Sequence, residues 1–162
     1  MNLTELESYK NCIALGHLRI AMRLYKEECE NHSVILLAAA AEEIFGQLLK
    51  PSSERSKRNS SSYLIQNRVE AVKELADVIE GKSVDKKELL RQMLSSKNTV
   101  KHFSGGDERL SSPKSDAREW LLRAIDCLDD LNSGLDPEIE EFQDSLRYEE
   151  GEEVSALIEK IK

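Results

Sequence analysis

Residues 32–49, HSVILLAAAAEEIFGQLL, constrain the fold more than any other stretch of this chain. Apolar residues run around most of its helical circumference, and such a helix has to be enclosed on nearly every side. At about 100° per residue, Val34, Leu37, Ala38, Ala41, Phe45 and Leu48 cluster on one side. The uninterrupted apolar run, Val34 to Ala41, is only eight residues, against about 20 for a membrane-crossing helix. The segment is therefore expected to be the central helix of a bundle, with no membrane partner. Glu43 falls on the opposite arc with Ala39, Ala40, Gly46 and Gln47, whereas Glu42 lies beside Ile35 and Leu49 at the edge of the apolar face. A carboxylate there is solvated at a cleft, paired with a base, or reaches water from the flank, because an unpaired buried charge is costly.

The remaining segments supply neighbours for that helix. A first helix is expected from Thr4 to about Glu30, with Leu6, Ile13, His17, Ile20 and Leu24 on one stripe at the helical period. His17 reads as a core or interface histidine. Asn31 is placed to cap the central helix. PSSERSKRNSSS, residues 51–62, has no apolar anchor and reads as an exposed connector, or as a basic arm that touches RNA. Helices follow from about Tyr63 to Glu80 and from about Asp85 to Phe103, the first stopped by Gly81 and the second by Ser104-Gly105-Gly106. Ser112 and Pro113 open another, which buries Ala117, Trp120, Leu121, Ala124, Leu128 and Leu131. Asp136-Pro137 begins a helix carrying Ile139, Phe142 and Leu146, with Gly151 expected to interrupt it.

No strand is expected. The fold class is all-α: an up-and-down bundle of four to five main helices in residues 1–135, with a short acidic helical appendage, 136–162, packed on the bundle or extending it. The formal net charge of −8 is unevenly spread. Residues 50–101 carry 12 basic and 7 acidic side chains, and residues 102–162 carry 7 and 17. The acidic whole argues against tight non-specific nucleic-acid binding, while the basic middle leaves room for a local RNA contact. The beginning, MNLTELESYK, lacks a basic start and an apolar segment, so no secretory signal is expected. The three cysteines, Cys12, Cys29 and Cys127, form no C-x-x-C pair and read as reduced thiols of a cytoplasmic protein.

The candidate chemistry lies in SSKNTVKHFSGGDE, residues 95–108. Leu89, Leu90, Met93 and Val100 define the apolar face of that helix, and Lys97 falls in the middle of it, where a leucine would be expected. A lysine there needs a snorkelling stem or a carboxylate, for which Glu42 is a candidate. Asn98 and His102 are neighbours four apart on another side. The carbonyl ends of a last helical turn favour a cationic imidazole, while adjacent lysines oppose it. His102 is either a helix-terminal residue meeting free carbonyls or a proton-transfer group titrating near neutrality.

The pattern basic-Asn-x-x-x-His at the end of a helix, together with AAAAEEIFGQLL upstream, resembles the HEPN superfamily (higher eukaryotes and prokaryotes nucleotide-binding). In that motif an Arg, usually followed by a polar residue, precedes a His with four to six residues between them. Lys97, Asn98 and His102 occupy those places here, so Lys stands where Arg is expected. The resemblance spans most of residues 5–133. It implies a bundle that homodimerises, with the motif lining a cleft. It also implies metal-independent endoribonuclease chemistry, nucleotide binding, or a partner protein such as an antitoxin or a nucleotidyltransferase. The catalytic set it implies is Lys97, Asn98, His102 and Glu42, the basic residue stabilising phosphorane charge. Lysine neutralises phosphate but lacks the planar bidentate fork of guanidinium. The expected function is thus RNA or nucleotide engagement, with a ribonuclease that is weak or inactivated. The competing class is a non-catalytic homodimeric interaction module in which the acidic segment Glu138 to Glu153 docks a basic partner.

No cofactor or metal site is expected. The three histidines (His17, His32, His102) are scattered, and neither Glu-x-x-His nor zinc spacing occurs. Gly105-Gly106 lacks the Gly-x-x-x-x-Gly-Lys of a phosphate loop, and no Gly-x-Ser-x-Gly supports a serine hydrolase.

Overall fold

The computed structural model describes residues 4–50, 113–132 and 134–161, together with the single positions Lys87 and Arg91. The fold is an all-α helical bundle, with four helices and no strand among the described residues. They are α1 (Glu5–Lys26), α2 (Asn31–Leu49), α3 (Pro113–Asn132) and α4 (Pro137–Ile161). The helix expected at 63–80 lies outside the described residues, as does the one expected at 85–103 except for Lys87 and Arg91, both of which are helical.

α1 begins with a capping box. Thr4 Oγ accepts from the Glu7 N–H at 3.3 Å, and Glu7 Oε2 accepts from the Thr4 N–H at 2.8 Å. It ends at Lys26, short of the expected Glu30. Glu27, Glu28 and Glu30 crowd negative charge where the helix dipole is already negative, which disfavours continuation. Glu28 instead takes a left-handed φ of 51°, and the Cys29 N–H donates to the Leu24 carbonyl at 2.9 Å, turning the chain into α2. Glu30 stands at the cap position of α2, and Asn31 is its first helical residue.

α2 is the central helix, packed against both α1 and α3. Val34, Ile35, Ala38, Ala39, Ala41, Phe45 and Leu48 are all buried. By length and composition α2 is apolar enough to cross a membrane, with mean hydropathy 1.3, yet half of that window is buried within the bundle. A core helix enclosed on most sides has the same composition as a membrane span. α3 buries the six residues expected of it, and Ile125 and Cys127 besides. α4 adds Ile139, Phe142 and Leu146 to the same core.

Two further expectations are corrected. Of the stripe Leu6, Ile13, His17, Ile20 and Leu24, Leu24 packs against the core, but the stripe as a whole is not the face α1 turns inward. Leu6, Ile13 and Ile20 are 63%, 37% and 42% exposed, and the core receives Ala14, Leu18, Ala21, Met22 and Tyr25 instead. Nor does Gly151 interrupt the last helix, because α4 is continuous from Pro137 to Ile161. A glycine inside a helix costs only about 0.5–1 kcal/mol relative to alanine. Good helix formers surround it, and Glu153 just beyond it is tied to Arg118 of α3.

Candidate functional site

Of the candidate residues, Glu42 is the one the structure places. Its side chain sits on α2 at 1% exposure, whereas Glu43, the next residue, is exposed. The difference follows from the turn of the helix, since one step of about 100° carries a side chain from the packed arc to the open one. Lys97, Asn98 and His102 lie outside the described residues. His17 is half-buried on α1, and its buried Nδ1 has no hydrogen-bond partner among the described residues. Cys12 and Cys29 are exposed free thiols, and Cys127 is a buried one. No group of three or more His, Cys, Asp or Glu side chains converges to hold a metal ion among the described residues.

Two buried cations on α3 were not singled out by sequence reasoning. Arg118, 4% exposed, donates through both terminal nitrogens to Glu153 of α4, at 2.9 and 2.6 Å. Its hydrogen bonds hold the Glu153 carboxyl below the usual carboxylate range. Arg123, 2% exposed, lies with its guanidinium carbon 4.7 Å from the centre of the Trp120 ring and is ion-paired with Glu119 one turn back. Beside them, burial first and the Glu119 charge second push the Asp116 carboxyl up. The signal for these residues was present. Arg118 and Arg123 flank the two edges of the apolar stripe in DAREWLLRAIDCL, where a long stem packs while its head reaches a carboxylate.

Where α1, α3 and α4 meet, the polar groups form one cluster. The Tyr25 hydroxyl donates to Glu149 at 2.8 Å. Lys114 lies 3.8 Å from Glu149 and 3.9 Å from Glu28, with its ammonium 5.7 Å from the centre of the Tyr25 ring. Burial, and after it the hydrogen bond to Glu149, push the Tyr25 phenol well above its ordinary range. This cluster is an inter-helix fastening: its acids and bases are spent on one another.

Two open grooves mark the described surface. One, of about 350 Å³, is lined by Arg19, Ile20, Met22, Arg23, Lys26 and Glu138, so its wall is cationic over an apolar floor. Arg19 is ion-paired with Asp136 at 3.3 Å, and the Lys26 ammonium lies 5.2 Å from the centre of the Phe142 ring. The other, of about 560 Å³, is lined by Glu119, Leu122, Asp126, Arg147 and Glu150. The chain matches no protein-family model, and no similarity to a curated protein or to a solved structure is found.

Proposed function

We propose that this chain is a HEPN-like domain that engages RNA or a nucleotide through Lys97, Asn98 and His102, with Glu42 behind them. Its metal-independent endoribonuclease activity is weak or lost. One observation carries this reading: Glu42 is buried to 1% exposure on the alanine-rich α2 of an all-α bundle. A carboxylate so deep keeps its charge only beside a cation or hydrogen-bond donors. Lys97, which the helical period puts in the middle of its own apolar face, is the cation this reading assigns to it. Glu42 would then fix the ammonium in place, and the ammonium would neutralise a phosphate. His102 would take the proton of an RNA 2′-hydroxyl as that oxygen attacks the phosphorus. The P–O5′ bond would break to leave a 2′,3′-cyclic phosphate, the departing 5′ oxygen taking up a proton from water, and Asn98 would hydrogen-bond the same backbone. The expected setting is the cytoplasm, as a homodimer, with an antitoxin-like or nucleotidyltransferase-like protein as the further partner.

A second reading, a non-catalytic homodimeric interaction module, is favoured by the apolar residues that α1 leaves in solvent. The test is to incubate the purified protein and its His102→Ala variant with a mixed RNA pool in the presence of a chelator. Cleavage by the parent alone, or metal-free RNA retention that Lys97→Leu abolishes, supports the ligand reading. If the parent neither cleaves nor retains RNA or nucleotide, the interaction module takes its place.

A further inference from the structure

We infer that the outer face of α1 is the contact surface for a second copy of this chain, packed antiparallel about a two-fold axis level with Ile13. This gives the homodimer of either functional reading a surface, and it does not depend on which ligand the chain takes.

α1 carries two apolar faces about 120° apart on the helix. The inner one is spent in the core. The outer one consists of Leu6, Tyr9, Ile13 and Ile20, which are 63%, 65%, 37% and 42% exposed. These four large side chains fall on one narrow strip about 21 Å long, at about 1.5 Å per residue. A strip of that kind, with charges at its ends, marks a protein contact rather than a solvated face.

The strip is complementary to itself, and only in one direction. With the copies antiparallel and the axis level with Ile13, the two Ile13 side chains meet and Leu6 faces Ile20 of the second copy. Tyr9 then comes level with His17 of the second copy and beside its Gly16, where an added Cβ would meet nothing within 4 Å, so the ring has open space next to it. Glu5 comes within about 3 Å of the level of Arg23 of the second copy on the same flank, a gap an arginine side chain spans, because a two-fold axis normal to the plane of the helices keeps each residue on its own side. Both are exposed, and neither has an ion-pair partner among the described residues. Arg23 also stands in the wall of the cationic groove, so Glu5 of the second copy arrives at a basic mouth. A parallel pairing would set Glu5 against Glu5 and Arg23 against Arg23, which like-charge repulsion disfavours. A single helix pair buries less than the roughly 800 Å² per partner of a standard interface, so a micromolar dissociation constant is expected.

The experiment is sedimentation velocity of the full chain over a micromolar concentration series, with helix content and melting checked for every variant. The parent is expected to move from monomer to dimer. Ile13→Arg puts two charges on the axis and is expected to weaken association about a hundredfold. Glu5→Arg and Arg23→Glu, each alone, create two like-charge pairs and are expected to weaken it about tenfold. Mixed in equal amounts, those two variants regain complementary pairs at both ends and are expected to associate with each other like the parent. Two misfolded variants would not recover in this way, so the mixture is its own folding control. A parent that stays monomeric, a dimer indifferent to Ile13→Arg, or a mixture without recovery overturns the inference. RNA cleavage plays no part in the readout, so failure here and failure of the ligand reading are separate results.

Discussion

Glu153→Gln tests the fastening that holds the last helix on the bundle. The Arg118 side chain is 5% exposed and that of Glu153 is 52% exposed, so an enclosed cation meets a carboxylate half in water. An exposed ion pair contributes about 0–1 kcal/mol, and removing one partner of a fully buried pair costs about 3–5 kcal/mol. This pair lies between those limits. The two bonds at 2.9 and 2.6 Å have only a 3.5 Å contact to Ser115 Oγ behind them. A loss of about 2 kcal/mol is expected for Glu153→Gln, or about 4–8 °C in melting temperature for a domain of this size.

The sign with pH follows from the direction of the shift. The Glu153 carboxyl is held below its ordinary value in the folded chain, chiefly by its hydrogen bonds from Arg118. Its contribution is therefore complete above the unfolded carboxylate value of about 4.3 and is lost as pH falls through the lower folded value. The gap between parent and variant should close in that acid window. Arg118→Met, which removes the buried charge and keeps an apolar stem, is expected to be neutral or stabilising, and adding Glu153→Gln to it should change little. Circular dichroism melts of the four proteins from neutral to acid pH measure all of this. The reasoning is refuted if Glu153→Gln costs under about 0.5 kcal/mol, a mere surface effect. It is equally refuted if Arg118→Met costs as much as Glu153→Gln, or if the gap survives in acid.

The other predictions are simpler. Tyr25→Phe removes the 2.8 Å bond to Glu149 but keeps the edge-on ring contact with Phe142 at 6.1 Å, so a loss of about 1 kcal/mol is expected in urea unfolding at neutral pH. Because the folded phenol is pushed up, its contribution is complete below the ordinary value of about 10 and is lost as pH rises through the folded one. Urea midpoints of parent and variant should therefore converge only in strong alkali. Gly151→Ala adds a methyl group that meets nothing within 4 Å inside a continuous helix, and should raise stability by about 0.5–1 kcal/mol, read as a higher melting temperature.

The helices that bury one clear stripe were legible from spacing alone. Val34, Ala38, Ala41, Phe45 and Leu48 on α2, and Ala117 through Leu131 on α3, lie inward as the helical period requires. α1 was misread for a physical reason. It has two stripes of the same period, and the bulkier one, with Leu6, Ile13 and Ile20, looks more hydrophobic than Ala14, Leu18, Ala21 and Met22. The face α1 turns to the core is the one that carries Ala14 and Ala21. Periodicity finds stripes but does not choose between them. At the candidate site, the rotation that separates Glu42 from Glu43 was legible, and the burial of Glu42 agrees with its place near the apolar arc. The partners of Arg118 and Arg123 were not, because Arg118 meets a carboxylate 35 residues away and no local spacing encodes such a pair.

The acidic C-terminal region shows what this means for function. Read as sequence, Glu138 to Glu153 is a charge run available to a basic partner. In the fold the run divides. Glu149 and Glu153 face the bundle, where Tyr25, Lys114 and Arg118 take up their charge, and Gln143 and Arg147 of the same helix reach back to Asp126 on α3. Ile139, Phe142 and Leu146 enter the common core between them. A helix held by both apolar and charged contacts is part of the bundle rather than a tail waiting for a ligand, and its inward carboxylates are already committed to the chain's own cations. An interaction role therefore shifts from the acidic end to α1, whose outer apolar strip the described residues leave open. The charges at that strip's two ends have opposite signs, and a second copy running the other way, as proposed, would meet both.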